Sequence, residues 1–214
     1  MPRSQVVGIS GPHIVGVSGG MTSVSACYTS LARKKGIPVV SHFCARSLRP
    51  TKELGLIALV YSLIRQLIEL APTWLDCDSA WDLSGDRFRR LGGTMASWKE
   101  ALTILDTLLI FAPPVLFCVI DELDLLEDTT TEEYVRSFVS VLMSHTSRRR
   151  GSIVGQQDLF PQGGLLKVLF TTAGQSKVLQ VALAEHLMIV TDVLQDANGY
   201  NHPSPGTDTV MSNS

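Results

Sequence analysis

The chain reads as an α/β protein built on a parallel sheet of about five strands with helices on both faces. Three observations predict this. Short apolar runs alternate with stretches of helical period along most of the sequence. One run, Val115–Asp121, is almost uninterruptedly apolar, as in a strand buried on both faces. It ends in Asp121-Glu122-Leu123-Asp124, and the carboxyl ends of strands are where open α/β sheets form their ligand crevice.

The elements follow in order. Residues 1–11 are expected to be a flexible lead-in ending at Gly11-Pro12, with the folded domain spanning 12–192. Ile14–Val17 is the expected first strand, followed by the loop Ser18-Gly19-Gly20-Met21-Thr22 and a helix from Thr22 to about Lys35. Gly36 stands where a helix stop belongs. Val39–Cys44 is a second strand, and Leu56, Leu59, Leu63, Leu67 and Leu70 mark a helix over 54–70 that stops before Pro72. Residues 73–95 show no period and predict a loop with one helical turn. Ser97 to Phe111 is helical, with Ser97 and Glu100 at capping-box spacing. The acidic-ended strand comes next, then a helix over Thr131–His145 with Glu132 and Glu133 in its first turn. Residues 147–164 predict an exposed loop, Leu165–Thr172 a fourth strand, Ser176–Ala184 a short helix and His186–Val190 a fifth strand. The Asn-, Gly-, Pro- and Ser-rich stretch 193–214 predicts a disordered tail.

Composition narrows the classes. The 214 residues suffice for one sizeable core, and 45% hydrophobic with 18% charged residues describes a globular chain. A net charge of −2 supplies no general attraction to nucleic acid or to an anionic membrane. The basic clusters Arg33–Lys35 and Arg148–Arg150 read as solvated helix ends or loops. The longest greasy stretch, Ile104–Ile120, is broken by Asp106 and Pro113-Pro114, so no membrane span is expected. Met1–Gly11 lacks the apolar stretch of a signal sequence. Cysteines 27, 44, 77 and 118 form no CxxC pair, which argues against a zinc site or a disulfide framework. Free thiols predict a reducing compartment, the cytoplasm.

Two constellations carry chemistry. Acids at the end of the 115–121 strand suit Mg²⁺, which prefers carboxylate, water and phosphate oxygens, and read as a Walker B element. The bland alternative is a buried strand ending in a solvated acidic turn. Ahead of the first predicted helix, a phosphate-binding loop G-x-x-x-x-G-K-[ST] would close on Gly20-Met21-Thr22. Gly20 and Thr22 fit. Val15 stands at the first glycine position with Gly16 one residue late, and Met21 replaces the lysine. The candidate nucleotide-binding residues are Gly16, Gly19, Gly20, Met21, Thr22 and Ser23, with Thr22 and Asp121 toward Mg²⁺. A plain Gly-Gly strand-to-helix turn is the alternative. A missing charge-assisted hydrogen bond, worth about 1.5–3 kcal/mol, weakens binding roughly 10- to 150-fold.

In order, the glycine loop, His42-Phe43-Cys44, Leu63-Ile64-Arg65-Gln66-Leu67, Ser97-Trp98-Lys99, Val119-Ile120-Asp121-Glu122-Leu123-Asp124 and Lys167-Val168-Leu169-Phe170-Thr171-Thr172 resemble one family. They are similar to the NACHT-type, nephrocystin-like domain of the STAND class of P-loop NTPases, common in fungal multidomain proteins, over about residues 12–190. The resemblance implies that the first and sensor strands are neighbours, with the Walker B strand beside the sensor strand. It implies that Asp121 holds Mg²⁺ through water, that Thr172, or Thr171, senses the γ-phosphate, and that Glu122 or Asp124 polarises water. The chain departs from the family at Met21, at Glu122 directly after the first acid, at Asp124-Leu125, and at Ala173-Gly174-Gln175, where an arginine is frequent. The expected function is a regulatory nucleotide-binding switch taking ATP or GTP with Mg²⁺, with weak or absent hydrolysis. Its protein partners would be reached through domains outside this chain. The competing expectation is an interaction scaffold that keeps the fold without nucleotide. A nucleic-acid motor is disfavoured, because no basic, aromatic-lined surface is evident.

Overall fold

A computed structural model describes residues 4–11, 20–44, 51–72, 82–147 and 164–185, together with the backbone of 189–192. Five strands, β1 (Gln5–Ser10), β2 (Val39–Phe43), β3 (Val115–Asp121), β4 (Leu165–Thr172) and β5 (Ile189–Asp192), form one sheet in the order β2-β3-β4-β1-β5. Every pairing is parallel. The helices are α1 (Gly20–Lys34), α2 (Lys52–Leu70), the short α3 (Gly85–Arg89), α4 (Trp98–Ile110), α5 (Glu132–Ser147) and α6 (Lys177–Glu185). Two 3₁₀ turns, Met95–Ser97 and Leu123–Leu126, precede α4 and follow β3. The fold is α/β with a parallel sheet, as expected, and β4 lies between β1 and β3.

The largest correction is at the amino terminus. Residues 5–10 were expected to lie in a flexible lead-in; they form β1, held between β4 and β5. The first strand therefore ends well ahead of Ile14–Val17, a segment outside the described residues. Residues 12–19, between β1 and α1 in the sequence, lie outside the described residues.

Period-two alternation assigns the two faces of the sheet. Val6, Val40, Leu116, Cys118, Ile120, Leu166, Val168 and Phe170 join the main core with the apolar stripes of α2, α4, α5 and α6. The intervening residues of the strands face α1, where Tyr28 stacks on Phe117 with ring centroids 5.4 Å apart. Helix α1 stops as its sequence predicts. Gly36 takes φ 69°, and the N–H groups of Gly36 and Ile37 return to the carbonyls of Arg33 and Ala32, the pattern of a Schellman cap.

Ser97 and Glu100 do not form the expected capping box. The Ser97 hydroxyl donates to the Thr94 carbonyl, and Glu100 pairs with Arg87 of α3. The 3₁₀ turn at 95–97 already supplies the entry into α4, so Ser97 lacks the extended backbone of a capping residue. Residues 148–163 and 193–214, read as a loop and a tail, lie outside the described residues.

At the free edge of the sheet, the Gln66 side chain treats β2 as a neighbouring strand would. Its Oε1 accepts from the Ser41 N–H at 3.0 Å and its Nε2 donates to the Ser41 carbonyl at 2.9 Å. One side-chain amide thus covers an edge donor and acceptor that would otherwise face solvent.

Candidate functional site

Because all strands run the same way, their carboxyl ends meet along one edge. Ser10 pairs with Thr172, Ile120 with Phe170, and Phe43 with Asp121, so Ser10, Thr171, Thr172 and Asp121 lie at one level. The first turn of α1 opens at that level.

Asp121 is the centre of the arrangement. It is 1% exposed and accepts three hydroxyl hydrogen bonds: from Thr22 to Oδ2 at 2.8 Å, and from Ser25 and Thr171 to Oδ1 at 2.8 and 2.6 Å. A buried carboxylate is costly unless its lone pairs are filled, and hydrogen bonds to a charged group contribute about 1.5–3 kcal/mol each. The three hydroxyls meet that requirement. Thr22 and Ser25, three residues apart, project from the same side of α1. Thr171 also accepts the N–H of Glu122 at 3.2 Å, and its oxygen lies 3.0 Å from that of Ser25.

The chain turns sharply after Asp121. Glu122 has φ 50° and ψ 49°, a left-handed conformation that costs a non-glycine residue of order 1 kcal/mol. The turn leads into the 3₁₀ segment 123–126, which places two further acids against backbone donors. Asp124 Oδ1 accepts from Ala173 N–H at 3.1 Å. Glu127 accepts from the Ser176 hydroxyl and from the N–H groups of Lys177 and Val178, capping α6. Lys52 of α2 donates to the Glu127 carbonyl at 2.6 Å and lies 3.5 Å from Asp128. The segment after β3 is therefore tied to α2, to the end of β4 and to the start of α6.

The residues singled out in the sequence fall into three groups. Thr22 and Asp121, 99 positions apart, are in direct contact. Gly20 begins α1; Ser23 is exposed on it. Met21 is buried, and it lies so close to Gly11 that a Cβ there would meet its Sδ at 2.9 Å. The side chain in the lysine position thus folds back onto the end of β1. Gly16 and Gly19 lie outside the described residues. Thr172 is buried but donates to Ser10 Oγ at 3.1 Å, on the opposite pleat from Asp121; the threonine that reaches the acid is Thr171. Glu122 is 7% exposed, and Asp124 is engaged with Ala173. Ser25 was missed. A serine on an amphipathic helix gives no sign that it will meet a carboxylate 96 residues away.

Among the described residues, no three His, Cys, Asp or Glu side chains converge as a metal site. The Asp121 carboxylate and the hydroxyls of Thr22, Ser25 and Thr171 form an all-oxygen set among those residues, which differs from a zinc-type cage. After donating to Asp121, Thr22 Oγ1 retains acceptor capacity for a cation. An apolar cavity of about 140 Å³, lined by Val7, Ile9, Val24, Tyr28 and Leu169 among others, lies beside α1 and contains none of these groups. No described helix is long and apolar enough to cross a membrane.

A scan against protein-family models finds none that matches this chain, and a search of curated proteins finds no match.

Proposed function

We propose that the chain is a nucleotide-binding switch module, taking ATP or GTP with Mg²⁺ at the carboxyl edge of the sheet, with weak or absent hydrolysis. The observation that carries this reading is the 2.8 Å hydrogen bond from Thr22, in the first turn of α1, to Asp121 at the end of β3. A hydroxyl opening a helix beside a strand-end carboxylate is what a Mg²⁺–phosphate pair needs, since the helix amino terminus favours the anion and the oxygens favour the cation. The adjacency of β1, β4 and β3 supports the same reading, because it is the neighbour order implied by the resemblance to NACHT-type P-loop NTPases.

Residue roles follow. Thr22 would bind the cation directly and Asp121 would hold its water shell. Mg²⁺ would supply charge neutralisation between the phosphates. Thr171 links the cation-side acid to the strand that would sense the γ-phosphate, through Asp121 on one side and the Glu122 N–H on the other. The ties from Asp124 and Glu127 give a change at Asp121 a covalent and hydrogen-bonded route to α6 and α2. Turnover is expected to be poor, because a missing transition-state donor typically costs on the order of 10²–10³ in rate.

Calorimetric titration of ATP, GTP and their diphosphates, with and without Mg²⁺, tests the proposal. Met21→Lys is expected to tighten Mg²⁺-nucleotide binding by roughly 10- to 150-fold, the equivalent of one charge-assisted hydrogen bond. Absence of binding by the wild type at millimolar nucleotide would refute it, whatever Met21→Lys does. A second reading, a scaffold that keeps the fold without nucleotide, is favoured by Met21 folding onto Gly11 and by the three hydroxyls that satisfy Asp121 internally. That negative titration is its expected result.

A further inference from the structure

The two faces of the sheet are covered unequally. Helices α2, α4, α5 and α6 pack on one face, and among the described residues α1 alone lies on the other, over β2, β3 and β4. On that second face Val7 and Ile9 of β1 stay half-buried. With Leu169, Val24 and Tyr28 they wall the apolar cavity of about 140 Å³ beside α1. Val24, Tyr28 and Leu31 are four and three residues apart, so one flank of α1 continues the cavity as an apolar ridge. Tyr28 is 37% exposed and Leu31 58%, which leaves a groove with an apolar wall open to solvent.

The charge around this groove has one sign. Lys167 lines it near the start of β4, and its Nζ donates to the neutral Gln5 amide at 2.7 Å. Helix α1 runs against the strands, so its exposed end, Arg33, Lys34 and Lys35, lies toward the same end of the sheet. Among the described residues none of these four cations forms an ion pair. Strands β1, β2 and β4 and helix α1 contain no Asp or Glu. The surface is apolar and cationic in a chain whose net charge is −2.

Charge complementarity selects among partners more than it adds affinity, and here it selects an acidic one. A second copy would bring the same acid-free surface, so pairing this face with itself gives the cations nothing. Residues 148–163 bring Arg148, Arg149 and Arg150, of the wrong sign. The acidic stretch 73–81 is held at both ends by α2 and α3, which pack on the opposite face. Residues 193–214 carry Asp196 and Asp208, no Lys or Arg, and apolar Val193, Leu194, Tyr200, Val210 and Met211. They follow β5, whose neighbour is β1, the strand left bare beside α1. A chain turning back from β5 over β1 moves in the β1-to-β2 direction, and the right-handed rule assigns that direction to the face of α1. Fully extended, these residues reach about 70 Å, well beyond the roughly 22 Å length of α1.

We propose that residues 193–214 dock in this groove as an intramolecular cover, their apolar side chains against the α1 flank and their acids toward Lys167 and the end of α1. The inference is independent of the nucleotide reading and stands or falls without it.

The test is photo-cross-linking in the 214-residue chain, with p-benzoylphenylalanine replacing Leu31 in one protein and Tyr28 in another. A third protein carries the probe at Arg65, an exposed position on α2, as the control. Dilute protein is irradiated and the cross-links are mapped by mass spectrometry. Positions 31 and 28 are expected to link within one chain to residues 193–214, well above the yield from position 65. Asp196→Lys with Asp208→Lys should abolish most of that yield while the circular dichroism spectrum stays unchanged. Links between two chains would seat a second copy in the groove and overturn the proposal. So would links to another segment, a yield no greater than that of the control, or a yield unaltered by the charge reversal. The two probe positions are read separately, so one that fails to fold leaves the other to decide.

Discussion

Thr29 occupies the next turn of α1 after Ser25, on the same face, and fares differently. Its hydroxyl is buried without a hydrogen-bond partner among the described residues. Such a group costs about 1–3 kcal/mol relative to a paired or absent one. Thr29→Val keeps the shape and removes the unpaired oxygen, so it should stabilise the fold by about 1 kcal/mol, roughly 2–4 °C in melting temperature. A scanning thermal measurement checks this, and a fall in melting temperature would show that the hydroxyl has an unrecognised partner. Cys118, on the opposite face of the sheet, is an apolar residue in all but name. Burial pushes its thiol up to about 12. The folded state thus keeps the proton through the pH range in which an unfolded thiol loses it. With fewer protons on the unfolded chain, stability should decline as pH rises from about 9 toward 12. At neutral pH a thiol reagent should label the exposed Cys27 in the native protein and reach Cys118 only after unfolding.

At the scale of elements, side chains from one segment complete the hydrogen bonding of another. Gln66 of α2 satisfies the edge of β2 through both halves of its amide. Gln66→Leu would remove both partners and leave an open strand edge, with an expected loss of about 1–3 kcal/mol and increased self-association. Urea unfolding and analytical ultracentrifugation measure the two effects, and a monomeric variant of wild-type stability would contradict the assignment. Glu127 performs a comparable service for α6, at the far end of the segment that begins with Asp121. Glu127→Ala should cost about 1–2 kcal/mol of stability, as the loss of a helix cap does. Asp128 next to it is held well below the usual carboxylate range by hydrogen bonds from Thr130 and Thr131. A carboxyl depressed in the folded state adds stability above its unfolded value, near 4, and that contribution is lost progressively on acidification below it.

For the whole molecule, the elements with a strong local signature were legible. The leucine period of α2, the apolar β3 with its acids, the Gly36 stop and the alternating order of strands and helices are all visible in the sequence. What escaped depends on distant partners. Gln5–Ser10 is a short strand with a glycine at its centre, and it becomes a strand because β4, some 160 residues later, pairs with it along its full length. Ser25 and the choice between Thr171 and Thr172 depend on which pleat of β4 faces α1, a property of the assembled sheet. Thr22 and Asp121 were both singled out in the sequence, and they are in direct contact. The capping box at Ser97 failed for the converse reason, since a neighbouring 3₁₀ turn met the need locally.

The central claim is that Thr22 and Asp121 form the cation side of a phosphate site, and the thermal shift with Mg²⁺-nucleotide, compared between the wild type and Asp121→Asn, tests it most directly. A ligand at about 100 times its dissociation constant should add about 2.7 kcal/mol, roughly 5–11 °C for a chain of this size. The account predicts that shift in the wild type and its loss in Asp121→Asn, with the variant still folded. An equal shift in both proteins, or none in the wild type at saturating Mg²⁺-ATP and Mg²⁺-GTP, would contradict it.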